Sequence, residues 1–150
     1  MTSLQVAIAD DDPWMREFLC RVRSYFGHRI LVAAENGRQL VAACRRTQPD
    51  LIITDLRMPE LDGLDAVHEI CAIQAVPSII VSGKENAALI PQIWRESVFG
   101  FLVKPVKMDD LPPAITLAMS RFHHDQLLRN ELQQLRQRIS SDQSESNRRT

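Results

Sequence analysis

No stretch of this 150-residue chain approaches the roughly 20 consecutive apolar residues of a membrane-spanning helix, and its first residues lack the basic, apolar and small-residue order of an export signal. No cysteine pair has C-x-x-C spacing. Cys20, Cys44 and Cys71 lie far apart, each in a helix-like stretch, which argues against a disulfide framework or thiolate metal site and for buried free thiols in a reducing compartment. Charge excess is also missing: 18 basic against 19 acidic residues leave −1, with no global attraction to nucleic acid or anionic membrane. A cytoplasmic protein is the expectation. What is present, 45% hydrophobic and 25% charged residues, is ordinary for a globular chain with room for one sizeable core and an appendage.

Against that background two clusters of acid stand out. Asp10-Asp11-Asp12 close the apolar run of residues 4–9, and Asp55 closes a second run, Leu51-Ile52-Ile53-Thr54. If both runs are buried parallel strands, these carboxylates emerge together at the carboxyl edge of the sheet, where open α/β sheets bind ligands. Two like charges about 4 Å apart repel by roughly 4 kcal/mol at an effective dielectric near 20, so such crowding calls for a cation or a raised pKa. Mg²⁺ suits the position, since it takes oxygen ligands and bridges carboxylates to phosphate. The plainer alternative is that the three aspartates cap the helix that follows.

Strand-like and helix-like segments alternate along most of the chain. Pro13 can open a helix on which Trp14, Phe18, Val22 and Phe26 recur every four residues, and Gly27-His28 ends it. A short strand follows over 30–34; Asn36 can cap a helix carrying Leu40, Val41 and Cys44 that ends near Pro49. The third strand delivers Asp55, a loop with Pro59 and Gly63 leads to a helix marked by Leu64, Val67, Ile70 and Cys71, and residues 78–82 form a fourth strand. Residues 86–97 are predicted helical, with Pro91 in the first turn or at a kink. Residues 100–103 are the fifth strand, ended by Lys104-Pro105. This alternation implies a parallel sheet covered on both faces.

The last helix differs. It begins near Leu111-Pro112-Pro113, and Ile115, Ala118, Met119 and Phe122 can pack on the sheet. Its pattern then continues to about Ile139, with Leu128, Leu132, Leu135 and Ile139 at heptad spacing. Residues 141–150 are polar, so a disordered tail is expected there. The predicted organisation is therefore a domain over 1–122, a helical extension over 123–140 forming a short coiled coil, and the tail.

The strand ends offer a phosphoryl-transfer chemistry. A carboxylate can attack a phosphoryl donor and form an acyl phosphate, and Asp55 is placed to be that nucleophile. Asp10, Asp11 and Asp55 could hold Mg²⁺, while the Lys104 ammonium and Ser82 hydroxyl could neutralise and hold phosphoryl oxygens. Taken singly, each residue also suits a turn cap, a strand terminus or a solvated charge; their joint order favours the site.

The stretches Val6-Ala7-Ile8-Ala9-Asp10-Asp11-Asp12-Pro13, Asp55-Leu56-Arg57-Met58-Pro59-Glu60-Leu61-Asp62-Gly63, Ile80-Val81-Ser82-Gly83 and Gly100-Phe101-Leu102-Val103-Lys104-Pro105 resemble the response-regulator receiver domain of two-component signalling. The resemblance implies a flavodoxin-like (βα)5 fold with strand order 2-1-3-4-5. It further implies Asp55 as phosphoacceptor, Mg²⁺ held by Asp10 and Asp11 with the backbone carbonyl of Arg57, and a cis Lys104-Pro105 bond. The donor would be a histidine kinase or a phosphotransfer protein. Phe101 stands where the family places an aromatic that swings inward as the hydroxyl residue moves; the alternative is a plain buried strand residue. Arg57 and Lys84 lie where the family tunes phosphoryl lifetime.

The chain is thus expected to be a phospho-switch, not a turnover enzyme, with at most self-phosphorylation and self-dephosphorylation. The leucine seam suggests a parallel homodimer; a single solvated helix is the alternative. Residues 111–135 are also similar to the receiver-to-helix junction of antiterminators with an ANTAR RNA-binding module, but the chain stops where that module would begin, and nucleic-acid binding is not expected of these residues alone. A coiled-coil scaffold, a truncated antiterminator and an aspartyl phosphohydrolase are the rivals. Against the last, Arg57 stands where a second acid would be needed.

Overall fold

Strands buried on both faces read as continuous runs of branched apolar residues, because neither side of the pleat meets water. Leu51-Ile52-Ile53 and Ile79-Ile80-Val81 are such runs, and every one of these side chains is buried. The computed structural model describes residues 3–93 and 97–149. Its elements are β1 (Gln5–Ala9), α1 (Pro13–Cys20), α2 (Val22–Phe26), β2 (Arg29–Ala34), α3 (Gly37–Thr47), β3 (Leu51–Asp55), α4 (Gly63–Cys71), β4 (Ser78–Ser82), α5 (Ile90–Ile93), β5 (Val98–Val103) and α6 (Leu111–Arg148). The five strands form one parallel sheet in the order β2-β1-β3-β4-β5. This is the flavodoxin-like arrangement that the resemblance implied.

Alternate strand residues divide the core into two layers. Ala7, Ala9, Ile52 and Ile80 pack with Leu40, Val41 and Cys44 of α3 and Ala66, Val67 and Ile70 of α4. Val6, Ile8, Leu51, Ile53, Ile79 and Val81 pack on the other side with Leu19, Val22 and, from α6, Leu111, Ile115 and Ala118. Each fully buried Leu or Ile contributes about 1.5–3 kcal/mol, so the two layers supply most of the drive for folding.

Local sequence fixes the element ends. Asn36 caps α3, its Oδ1 accepting the Gln39 N–H at 2.8 Å, and Asp62 caps α4 by accepting the Asp65 N–H at 2.8 Å. Gly27 closes α2 in the left-handed region at φ 72°. At Gly63 a Cβ would collide with the Asp55 carbonyl oxygen, so only glycine lets α4 begin this close to the end of β3.

Several expectations need correction. The first helix is two, α1 and α2, divided at Arg21, and Trp14 is 81% exposed instead of facing the core. Strand β5 starts at Val98, not Gly100. The segment expected as a helix over 86–97 is a 3-10 turn, Lys84–Leu89, followed by the short α5; residues 94–96 of that expectation lie outside the described residues. All three thiols are free, but only Cys44 is buried, its pKa pushed up by burial to about 12; Cys20 and Cys71 are half-buried.

The chain divides into two compact units, Met1–Met119 and Ser120–Thr150. The first ends a few residues before the predicted boundary at 122, and Phe122 falls in the second. The second is helical, and α6 runs to Arg148 through the polar segment that composition marks as a tail. Within it Arg129 pairs with Asp125 at 2.8 Å in i,i+4 spacing, and the Ser141 hydroxyl donates to the Gln137 carbonyl at 3.0 Å; helical propensity and such local bonds carry the helix where an apolar core is lacking.

Candidate functional site

Parallel register brings the polar strand ends together. Ala9 pairs with Thr54, Asp55 with Val81 and Ser82 with Val103, so the residues just beyond β1 and β5, Asp10 and Lys104, flank the ends of β3 and β4. Backbone bonds hold the loops there: Asp10 N–H donates to Ala34 O at 3.1 Å, Leu56 N–H to Val81 O at 3.0 Å and Lys104 N–H to Ser82 O at 2.7 Å.

The three consecutive aspartates divide their work. Asp12 caps α1 by accepting the Trp14 N–H at 3.0 Å, with Pro13 supplying the first helical position. Asp10 is fully buried. Its Oδ1 accepts the Asp12 N–H at 2.9 Å, its Oδ2 lies 3.5 Å from Lys104 Nζ, and its carbonyl accepts from Arg16 Nη1 at 2.9 Å. Asp11 is exposed. Helix capping, the plainer alternative, is thus the work of Asp12.

Asp55 is buried, with its Oδ2 3.4 Å from Lys104 Nζ. One carboxylate oxygen from each of Asp10, Asp11 and Asp55 lies within 4.8 Å of those of the other two. Burial pushes the Asp55 carboxyl up to about 6, the Asp10 charge adding to the rise and Lys104 opposing it. Asp10 is raised as well, chiefly by burial. For Lys104 burial alone would favour the neutral amine, but Asp55 and Asp10 outweigh it and raise the pKa, so the ammonium form is retained.

With all groups ionised, three carboxylates and one ammonium leave an excess of two negative charges. A hard divalent cation matches that excess and the all-oxygen donor set, so the residues fit Mg²⁺. Arg57, whose carbonyl the resemblance implied as a further ligand, is exposed and lines an open groove with Asp11, Asp62 and Asp65.

Ser82 is 1% exposed at the end of β4, and its Oγ accepts a hydrogen bond from Asn86 Nδ2 at 2.9 Å. The helix expected from residue 86 gives Asn86 no part in the site; the signal for it in the sequence is an amide four residues after a strand-end serine. Phe101 is half-buried against the layer covered by α3 and α4, alongside Ile80, its partner in register. The Lys104-Pro105 peptide bond is cis. Leu128, Leu132, Leu135 and Ile139, the residues expected to form a seam, belong to the second unit, and each is about half exposed in the single chain.

Comparison with known proteins identifies the family. Residues 6–116 match the response regulator receiver domain. The chain is 32% identical over 137 residues to the transcriptional regulatory protein PdtaR of Mycobacterium tuberculosis, covering 91% of this chain and 67% of that protein. It is 31% identical over 117 residues to the chemotaxis protein CheY of Bacillus subtilis, covering 77% of this chain and 98% of CheY. Among solved structures, a response regulator receiver domain protein from Clostridium thermocellum superposes with a TM-score of 0.67 at 28% identity, covering 83% of this chain and 98% of that one. The chain belongs to the response-regulator receiver family.

Proposed function

We propose that this chain is the phosphoacceptor of a two-component relay: Asp55 takes a phosphoryl group from a histidine kinase or phosphotransfer protein, with Mg²⁺ held by Asp10, Asp11 and Asp55 and by the Arg57 carbonyl. The observation that carries this reading is the position of Asp55, between two further carboxylates and the Lys104 ammonium 3.4 Å away. One Asp55 oxygen forms a bond to phosphorus as the bond from phosphorus to the donor imidazole nitrogen breaks. Lys104 is placed to pair with a phosphoryl oxygen and Ser82 to donate a hydrogen bond to another. Bound Mg²⁺ would neutralise the oxygen charge that otherwise repels an anionic donor. The rigid strand ends contribute orientation, so the chain's own part is chiefly positioning.

The product is a switch, not a released molecule. Replacing one carboxylate charge by a phosphoryl group of close to two negative charges alters the balance around Ser82 and Lys104, and moving a two-state equilibrium from 1:99 to 99:1 takes about 5.5 kcal/mol of differential binding. Self-phosphorylation from a small donor and self-dephosphorylation are the only catalysis proposed. The three free thiols suit a reducing cytoplasm, and among the described residues no helix is long and apolar enough to cross a membrane.

The output is proposed to pass through a parallel homodimeric coiled coil of the second unit. The exposed stripe of Leu128, Leu132, Leu135 and Ile139 supports it, because burial in a seam would contribute about 1.5–3 kcal/mol per side chain. The chain covers 67% of PdtaR's length, so any wider regulatory role is likewise a proposal.

Incubation of the full chain with acetyl phosphate and Mg²⁺, followed by intact mass measurement, tests the phosphoacceptor reading. A labile adduct of one phosphoryl group is expected, absent in Asp55→Asn. Sustained turnover of unrelated phosphate esters, without an adduct, would favour the phosphohydrolase instead.

A further inference from the structure

The hydroxyl of Ser82 has a partner outside the acid and lysine set. Asn86 Nδ2 donates to Ser82 Oγ at 2.9 Å, and both residues are buried, at 7% and 1% exposure. The backbone builds this contact: the Asn86 N–H donates to the Gly83 carbonyl at 3.1 Å, which closes the turn at the start of the 3-10 segment Lys84–Leu89 and brings the amide back under the strand end.

The direction of that bond matters chemically. A carboxamide nitrogen carries two hydrogens and no accepting lone pair, so the Ser82 oxygen acts only as acceptor here, and its own hydrogen stays available to another group. A hydroxyl in water would sample several rotamers; one anchored by a buried donor has fewer to lose when it meets a new acceptor. Ser82 sits one residue beyond Val81, the register partner of Asp55, and its carbonyl accepts the Lys104 N–H. The anchored hydroxyl therefore belongs to the rim on which a phosphoryl group on Asp55 would rest. Phe101, whose register partner Ile80 lies two residues before Ser82, has no polar side-chain atom with which to hold the serine, and the polar link from Ser82 runs into the segment that follows β4.

We propose that Asn86 is a positioning residue for phosphoryl transfer: its amide holds the Ser82 oxygen so that the hydroxyl hydrogen is presented to the phosphoryl group on Asp55. This builds on the phosphoacceptor reading.

The test is a double-mutant cycle on the full chain, reading the Mg²⁺-dependent rate of phosphorylation by acetyl phosphate. Asn86→Ala should slow the reaction by about fivefold, the rate equivalent of one hydrogen bond. In a Ser82→Ala background the same substitution should change the rate by less than about twofold, since the effect travels through the hydroxyl. Asn86→Asp is nearly isosteric but accepts where the amide donates; it would capture the serine hydrogen, and should be at least as slow as Asn86→Ala. If Asn86→Ala fails to fold, Asn86→Asp in both backgrounds carries the cycle. Equal losses with and without the Ser82 hydroxyl would mark a merely structural role and overturn the proposal, as would a wild-type rate in Asn86→Ala or Asn86→Asp. Absence of any adduct on the wild-type chain would instead remove the phosphoacceptor reading, and this inference with it.

Discussion

The two units of this chain use apolar residues in opposite ways. In Met1–Met119 the branched side chains alternate across a sheet and disappear into two packed layers. In Ser120–Thr150 four large apolar residues at heptad spacing remain about half exposed. The first unit contains the partners that its pattern demands, and so its sequence determines both the fold and the convergence of the site. In the second, the four residues at heptad spacing stay exposed on a helix that local bonds sustain, and the use proposed for the stripe is contact with a second copy of the chain.

Substitutions at equivalent-looking hydrophobic positions should therefore differ sharply. Ile53→Ala removes a fully buried strand residue and should cost about 2–5 kcal/mol in denaturant unfolding of the full chain. Leu132→Ala should leave the unfolding of the first unit unchanged. Comparable losses at both positions would erase the distinction.

The next effect concerns charge at the strand ends. Asp55 titrates near 6 when folded against an ordinary value of 3.8, so the folded chain binds its proton more tightly than the unfolded chain. Its contribution to stability is complete below about pH 4 and is lost as pH rises through about 6, a change on the order of 3 kcal/mol without metal. Urea unfolding in a chelator across that window should show the decline. Mg²⁺ should offset it at neutral pH, and Asp55→Asn should flatten it. A metal-free stability that rises from pH 4 to pH 6 in the wild-type chain and not in Asp55→Asn would contradict the burial argument.

A smaller loss, about 1 kcal/mol, is expected for Asn36→Ala, which removes the cap of α3 and should lower the unfolding midpoint of the first unit. Leu132→Asp should produce no loss of receiver stability at all, yet should convert a dimeric species to a monomer in sedimentation. Equal masses for the two proteins would remove the leucine seam from consideration.

Legibility from sequence followed the same divide. The bounds of β4 and the delivery of Asp55 at the end of β3 were readable because continuous apolar runs ending in polar groups have few other interpretations. The Asp10, Asp11, Asp55 and Lys104 cluster followed from parallel pairing of those ends. Glycine misled the reading of β5. Gly100 looks like a boundary, but an added Cβ would lie 3.0 Å from Ile79 Cγ1, so glycine here serves close packing within a strand that has already begun. The exposed Trp14 has a geometric cause. Leu19, the buried residue of α1, lies five residues on, about 140° round the helix, so Trp14 falls on the side away from the core. Asn86 escapes a reading by periodicity because its bond to Ser82, four residues back, depends on the turn between them and not on a helix or strand repeat. The helical state of the polar end of α6 escaped because composition alone undervalues local side-chain bonds in a helix already under way.

The most direct test of the central claim is chemical mapping of the phosphorylated carboxylate. After reaction with acetyl phosphate and Mg²⁺, borohydride reduces an acyl phosphate on aspartate to homoserine, which peptide mass spectrometry locates. Homoserine at Asp55, and absent when Lys104 is replaced by alanine or Mg²⁺ is chelated, is the predicted result. Homoserine at Asp10 or Asp11, or undiminished labelling without Lys104 and Mg²⁺, would contradict the convergence of strand ends on Asp55.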